Sequence, residues 1–220
     1  MNTTAKKRIA VTAAILTVIL MILLKTVDVA PIGPEGTTIG LSHLNQAIHD
    51  AIGMHESIYT ITEIGGILAI GVVALFAGMG FVQVIRRRSL LKVDRELLLL
   101  GGLYVIIGFL YVLFKKVVIN YRPVIMPGDL HPESSFPSSH SMLGCTVMGS
   151  AYLLVDRYVK NPRTVKLLHV LCIINMIVIV GGRFLSGVHW FTDILGGILI
   201  STALIAGYAV LLDRIDEANE

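Results

Sequence analysis

Charge is scarce in this chain: Asp, Glu, Lys and Arg together make up 15% of its 220 residues, while 55% are apolar. A soluble domain of that balance would leave hydrocarbon over its whole surface, so the sequence excludes an ordinary water-soluble globule and reads as a membrane protein. Cysteine is almost absent as well. Cys145 and Cys172 both stand inside apolar runs with no paired spacing, which excludes a disulfide framework or a thiolate metal site. No stretch is polar and long enough to form a separate soluble core, and the chain reads as one membrane domain over 1–220. The net charge is only +3. Its basic residues sit between apolar runs, not on one interleaved patch, so they suit the membrane lipids and not nucleic acid.

What is present is a series of apolar runs. A hydrocarbon core about 30 Å thick takes about 20 helical residues. Six segments reach or approach that length, roughly 9–24, 64–85, 97–114, 141–155, 167–182 and 190–212. The fourth and fifth are short and must borrow flanking polar residues. The expected fold is therefore all-α, a polytopic bundle of six transmembrane helices. Lys6-Lys7-Arg8 before the first run imitates a signal peptide. The candidate cleavage site at Ala30, however, has Asp28 where a small residue is wanted and Pro31 directly after it, so we read a retained span. Leu41, Leu44, Ile48 and Ile52 then recur at helical spacing, predicting a short amphipathic helix on the surface within 38–57. The chain divides into first span and surface segment (1–57), a core carrying the chemistry (58–212) and a tail (213–220). Ala74 with Gly78 and Ala203 with Gly207 are small residues four apart, which predict close helix packing.

Cytoplasmic loops of membrane proteins carry the excess of Lys and Arg. Placing both termini inside puts thirteen of the eighteen basic residues there, in 6–8, 86–95 and 157–166 and at Arg214. The five left on the outer face are Lys25, Lys115, Lys116, Arg122 and Arg183. Lys25 and Lys116 taken singly read as anchors that snorkel to the interface. Topology gives no reason for Lys115, Arg122 and Arg183 to be there, and a cluster of cations without carboxylate partners suits a phosphate dianion.

Three stretches at the outer ends of the spans carry reactive residues: KKVVINYRP at 115–123, PSSH at 137–140 and RFLSGVHWFTD at 183–193. Lys115 and Arg122 are seven apart, which on a helix puts them on one face about 10.5 Å apart along the axis. Pro137-Ser138-Ser139-His140 opens the fourth span, where free backbone N–H groups and the helix dipole favour an anion and serine hydroxyls add donors. His189 and Asp193 are i and i+4, which on a helix sets the carboxylate beside the imidazole, fixing its tautomer and leaving the other nitrogen free to attack. His140 is then available to protonate the departing oxygen.

Lys115-x6-Arg122-Pro123, Pro137-Ser138-Ser139-His140 and Arg183-x5-His189-x3-Asp193 resemble, in order and spacing, the three signature motifs of the phosphatidic-acid-phosphatase type 2 superfamily. That family reads Lys-x6-Arg-Pro, Pro-Ser-Gly-His and Ser-Arg-x5-His-x3-Asp. The resemblance implies that Lys115, Arg122 and Arg183 bind phosphate together with Ser138, Ser139 and neighbouring amides. It further implies that His189 forms a phosphohistidine, that Asp193 orients it and that His140 is the acid. Ser139 stands where the family has Gly, and Gly182 where it has Ser. The extra Cβ at Ser139 sits where backbone should approach phosphate closely.

The function expected is hydrolysis of a lipid phosphate monoester or diphosphate at the outer face of the plasma membrane. Phosphatidic acid, phosphatidylglycerophosphate and undecaprenyl diphosphate are the candidate substrates. Transfer of the phosphoryl group to a second hydroxyl is the alternative within enzymes. A transporter would place ionisable groups near the bilayer midplane, which is almost free of charge here. Vanadate-dependent haloperoxidases share the pocket resemblance but are soluble. Few carboxylates accompany the site, so we expect neither a metal nor any other cofactor. His43, His49 and His55, at steps of six, cannot converge from one helical face and are expected in solvent. His169 reads as a satisfied structural residue, and Asp129, His131 and Glu133 remain unassigned loop residues.

Overall fold

The structure is a computed structural model that describes residues 1–126 and 128–219. It contains seven α-helices among those residues: α1 (Thr3–Thr26), α2 (Ser42–Ile52), α3 (Glu56–Arg87), α4 (Arg95–Lys116), α5 (Ser139–Tyr158), α6 (Pro162–Leu185) and α7 (Phe191–Glu217). Five of them, α1, α3, α4, α6 and α7, are long and apolar enough to cross a membrane. The fourth expected span, 141–155, is α5, which at 20 residues is about 30 Å long but falls short in apolar composition. Its position explains the shortfall. α5 packs against α3, α4, α6 and α7, and Ser141, Thr146 and Ser150 are buried within the protein. A helix wrapped by other helices has no need of a hydrocarbon-facing surface. Thr146 and Ser150 donate their hydroxyls to backbone carbonyls of Met142 and Val147.

Close approach around α5 comes from glycines other than those expected. A Cβ on Gly144 would meet Ile179 at 2.6 Å, and one on Gly149 would meet Ile205 at 2.4 Å. Gly78 and Gly207 have nothing within 4 Å of such an atom, so the expected small pairs make no close contact inside the chain.

Polar contacts sort the helix ends. Lys6 pairs with Asp213 at 2.5 Å, Arg87 with Asp94 at 2.7 Å and Arg157 with Asp216 at 2.7 Å, so both termini and the basic connections gather at one end. All three motifs lie at the other. His169 accepts its expected structural role, packing its ring on Tyr152 at 4.0 Å and bonding the Tyr152 carbonyl at 3.0 Å.

The surface helix α2 forms where expected, but its buried stripe is polar. Ser42, Asn45 and His49 face the protein, whereas Leu44 is 46% exposed. Asp28 caps its N-terminus from outside, accepting from the His43 amide at 2.8 Å and the Ser42 hydroxyl at 2.9 Å. His43 and His55 are exposed, as expected. His49 departs from that expectation: it bonds the Gly187 carbonyl at 3.1 Å and packs against Trp190 with ring centroids 5.3 Å apart.

Candidate active site

α4 ends at Lys116, so Arg122 is not on the same helix as Lys115. The chain instead turns back on itself. Arg122 N donates to Glu133 O at 3.0 Å and Ser135 N to Asn120 O at 2.9 Å, making a short hairpin-like pairing across the proline-rich loop. Proline supplies no amide for a helical ladder, which is why the chain at 122–126 and 128–137 takes this irregular course. Lys25 reaches from α1 to the carbonyls of Val118 and Ile119 at 3.0 and 2.9 Å and clips the start of this loop. Trp190 Nε1 donates to Tyr121 O at 2.7 Å, fastening the hairpin to the third motif.

Ser138 is the N-cap of α5, where its hydroxyl accepts from the Ser141 amide at 3.4 Å and the Ser141 hydroxyl at 3.1 Å. Its own amide donates to Asp193 O at 3.0 Å, joining the second motif to the third. The fit between α5 and α7 is close here, since a Cβ on Gly197 would meet Ser138 O at 3.0 Å. Ser138 is wholly buried, and it is Ser139 that lines the pocket.

His189 lies in the connection before α7, not within it. Trp190 is the N-cap, and Asp193, in the first turn, reaches back so that Oδ2 accepts from Trp190 N at 3.0 Å and faces His189 Nδ1 at 3.5 Å. The i, i+4 pair therefore arises from a helix-capping turn. Ser135 and Asn120 face the same carboxylate. Gly187, at φ +70°, carries the chain round this bend, and a Cβ there would meet Gly53 O at 2.0 Å.

These elements enclose a pocket of about 160 Å³ lined by Lys115, Arg122, Ser139, His140 and His189 with Tyr111 and Phe114 at its apolar side. Arg183, 0% exposed, stands beside it. Arg122 Nε and Nη1, Arg183 Nε and Nη1, and both ring nitrogens of His189 are buried and without hydrogen-bond partners. Buried donors of that kind are costly unless an anion meets them, so their convergence describes an oxyanion site. Lys115 is also held over the Tyr111 ring, 5.4 Å from its centroid. Burial first, and then the positive charges of Arg122 and Arg183, hold His189 well below the usual imidazole range. It is accordingly neutral, the form in which an imidazole attacks.

Two carboxylates that the motifs do not contain complete the cluster. Glu133 faces Arg122 Nε at 3.5 Å, and Glu63 on α3 pairs with Arg183 and stands 3.3 Å from His140 Nε2. The cations thus have carboxylate neighbours, contrary to expectation. Glu63 precedes the second apolar run directly, and a lone carboxylate at such a place is a signal of function that could have found it. Among the described residues, no three His, Cys, Asp or Glu side chains gather as metal ligands.

A comparison with curated proteins finds no match. Among solved structures the chain is similar to the crystal structure of a transmembrane PAP2-type phosphatidylglycerolphosphate phosphatase from Bacillus subtilis. The match has a TM-score of 0.66 and 21% identity, and covers 94% of this chain and 97% of that one. At that identity the likeness establishes the fold of a multi-pass membrane protein. The family description "PAP2 superfamily" matches residues 96–216, more than half of the chain and all three motifs, and the chain belongs to that superfamily.

Proposed function

We propose that this membrane phosphoric ester hydrolase removes phosphate from a lipid monoester or diphosphate through a phosphohistidine on His189. The observation that carries the reading is the convergence of the buried Arg183 guanidinium and the half-buried Arg122 one, each with an Nε and Nη1 that have no hydrogen-bond partner, at a pocket that holds two imidazoles. The guanidinium groups, Lys115 and the Ser139 end of α5 take the phosphate oxygens, and Ser138 supports them through its cap. Asp193 faces Nδ1 of His189, so Nε2 attacks phosphorus. As the N–P bond forms, the P–O bond to the lipid breaks, and His140 gives its proton to the departing oxygen. Water then attacks the phosphohistidine, losing its proton to His140 while phosphate leaves His189. The two imidazoles supply the proton traffic, and the mechanism calls for no metal.

Tyr111 and Phe114 on the pocket wall suit a lipid whose chain lies in the bilayer. The similar structure is described as a phosphatidylglycerolphosphate phosphatase, which supports a phospholipid monoester among the candidate substrates. The basic connections lie at the end opposite the pocket, and the excess of Lys and Arg there supports a cytoplasmic position for both termini. The pocket then opens on the outer face of the plasma membrane.

The test is phosphate release by purified protein from phosphatidic acid, phosphatidylglycerophosphate and undecaprenyl diphosphate, with and without EDTA and vanadate, and for His189→Ala and His140→Ala. Release from at least one lipid that resists EDTA, yields to vanadate and disappears in His189→Ala is expected. Phosphorylated acceptor in place of free phosphate would redirect the reading to transfer, and loss of activity in EDTA would overturn the metal-free step.

A further inference from the structure

α3 lies outside the 96–216 region that matches the family, yet it holds two residues of the site from one helical face. Tyr59, Glu63 and Gly66 are spaced i, i+4 and i+7, which aligns them along one side of α3. The Arg183 guanidinium lies over the Tyr59 ring, 4.5 Å from its centroid, and Arg183 Nη2 donates to Glu63 Oε1. The same carboxylate oxygen is 3.3 Å from His140 Nε2. One turn further, Gly66 leaves the room that the His140 ring occupies, since a Cβ there would meet its Cδ2 at 3.1 Å. Thr62, on the adjoining face, touches the position where a Cβ on Gly182 would be, at 2.4 Å, which fixes how near α3 stands to α6. Glu63 itself does not line the pocket.

Resting on the phosphohistidine reading above, we infer that Glu63 is a positioning residue of the reaction, holding His140 as its proton donor and turning Arg183 toward the phosphate. With Nη2 taken by Glu63, the Nε and Nη1 edge of Arg183, which has no protein partner, is the edge left for phosphate oxygens. With Nε2 of His140 beside the carboxylate, the imidazolium form of His140 has a counter-charge, so a proton is at hand when the lipid oxygen departs. Glu63 stays ionised throughout, and the proton moves from His140 to the alkoxide and returns from water in the second half. The site then contains two histidine–carboxylate pairs of opposite purpose. Asp193 faces the attacker, and Glu63 faces the donor.

Other charged groups face His140: Arg183 from α6, His189 from the connection before α7, and Lys115, Arg122 and Glu133 across the pocket. Burial first, and then the charge of Arg183, oppose a proton on His140, while Glu63 favours one. Removing Glu63 leaves that opposition stronger, which sets the sign of the expected change.

The experiment measures kcat and KM against pH for phosphate release from dioleoyl phosphatidic acid in mixed micelles by the full chain. It uses the unaltered protein, Glu63→Gln, Glu63→Asp and His189→Ala, with thermal unfolding of each. We expect Glu63→Gln to lower kcat about tenfold to a hundredfold, a part of the 10²–10⁴ general acid catalysis supplies. We expect its basic limb to move to lower pH and Glu63→Asp to restore part of both. A Glu63→Gln profile that keeps its pH limits, or a loss that follows the unfolding midpoint alone, would overturn the inference while inactive His189→Ala leaves the phosphohistidine standing. Full phosphate release by His189→Ala would overturn both.

Discussion

Asn45 and Thr192 lie 147 positions apart and form a buried reciprocal pair. Asn45 Oδ1 accepts from the Thr192 amide at 3.3 Å and its hydroxyl at 3.2 Å, while Asn45 Nδ2 donates to Thr192 Oγ1 at 3.0 Å. Thr192 sits between Trp190 and Asp193, in the turn that sets the His189–Asp193 pair, so α2 braces the surroundings of His189. Asn45→Ala leaves the Thr192 amide buried and unpaired, a loss of about 1–3 kcal/mol. A lower unfolding midpoint in detergent is expected, with a fall in kcat. An unchanged midpoint would show that α2 is not a brace.

Asp193→Asn tests the other partner of that turn. An amide can still accept from Trp190 N but carries no charge to stabilise an imidazolium or fix the tautomer of His189. Loss of kcat by about 10²–10⁴ is expected, with the fold intact, by comparison with orienting carboxylates elsewhere. Unfolding and single-turnover phosphate release measured side by side check it, and activity within a few-fold of the unaltered protein would remove Asp193 from the mechanism.

The pH dependence follows from the direction in which His189 is held. Burial and then Arg122 and Arg183 disfavour its protonated form, so it stays neutral where a free imidazole, with a value of about 6.5, already carries a proton. The acid limb that His189 sets in kcat/KM therefore lies below that value. Arg122→Gln removes one of the opposing charges, so protons bind His189 more readily and the limb moves up in pH, alongside a higher KM. The substrate's own ionisation is common to both proteins, and the difference between their profiles isolates His189. A limb that stays or moves down would contradict the assignment.

Gly182 stands where the family motif has serine, and the structure gives the reason. A Cβ at this position would meet Thr62 Cγ2 at 2.4 Å. Gly182→Ser is thus expected to destabilise the protein, by about 1–3 kcal/mol for an overpacked contact. Thr62→Ser removes the offending methyl while keeping the hydroxyl that donates to Tyr59 O at 2.6 Å. The double variant should recover most of the lost stability, and additive unfolding shifts would show that the two positions do not compete for space.

The spans and the three motifs were legible from sequence because each is local. Hydropathy accumulates along a run, and His189 and Asp193 meet within a single turn. The groups that were not legible arrive from elsewhere. Glu63 and Tyr59 come from α3, and Asn45 and His49 from α2; neither helix carries a motif. A polar stripe at 42, 45 and 49 was written beside the apolar one, but periodicity alone cannot say which of two stripes a helix buries. Spacing also misplaced Arg122, since seven residues measure a distance only while the helix continues, and α4 stops at Lys116.

By itself the sequence determined that the chain belongs in a bilayer, that its basic connections share one side and that the three motifs, with their cations and histidines, cluster on the other. Those are consequences of local composition, which the bilayer's thickness translates into spans and the loops between them. Only the tertiary structure decided which carboxylates stand beside the cations, which serine faces the pocket and which glycines let the helices close. Each depends on helices that meet far apart in sequence, where packing within a few tenths of an ångström, not periodicity, selects the neighbour.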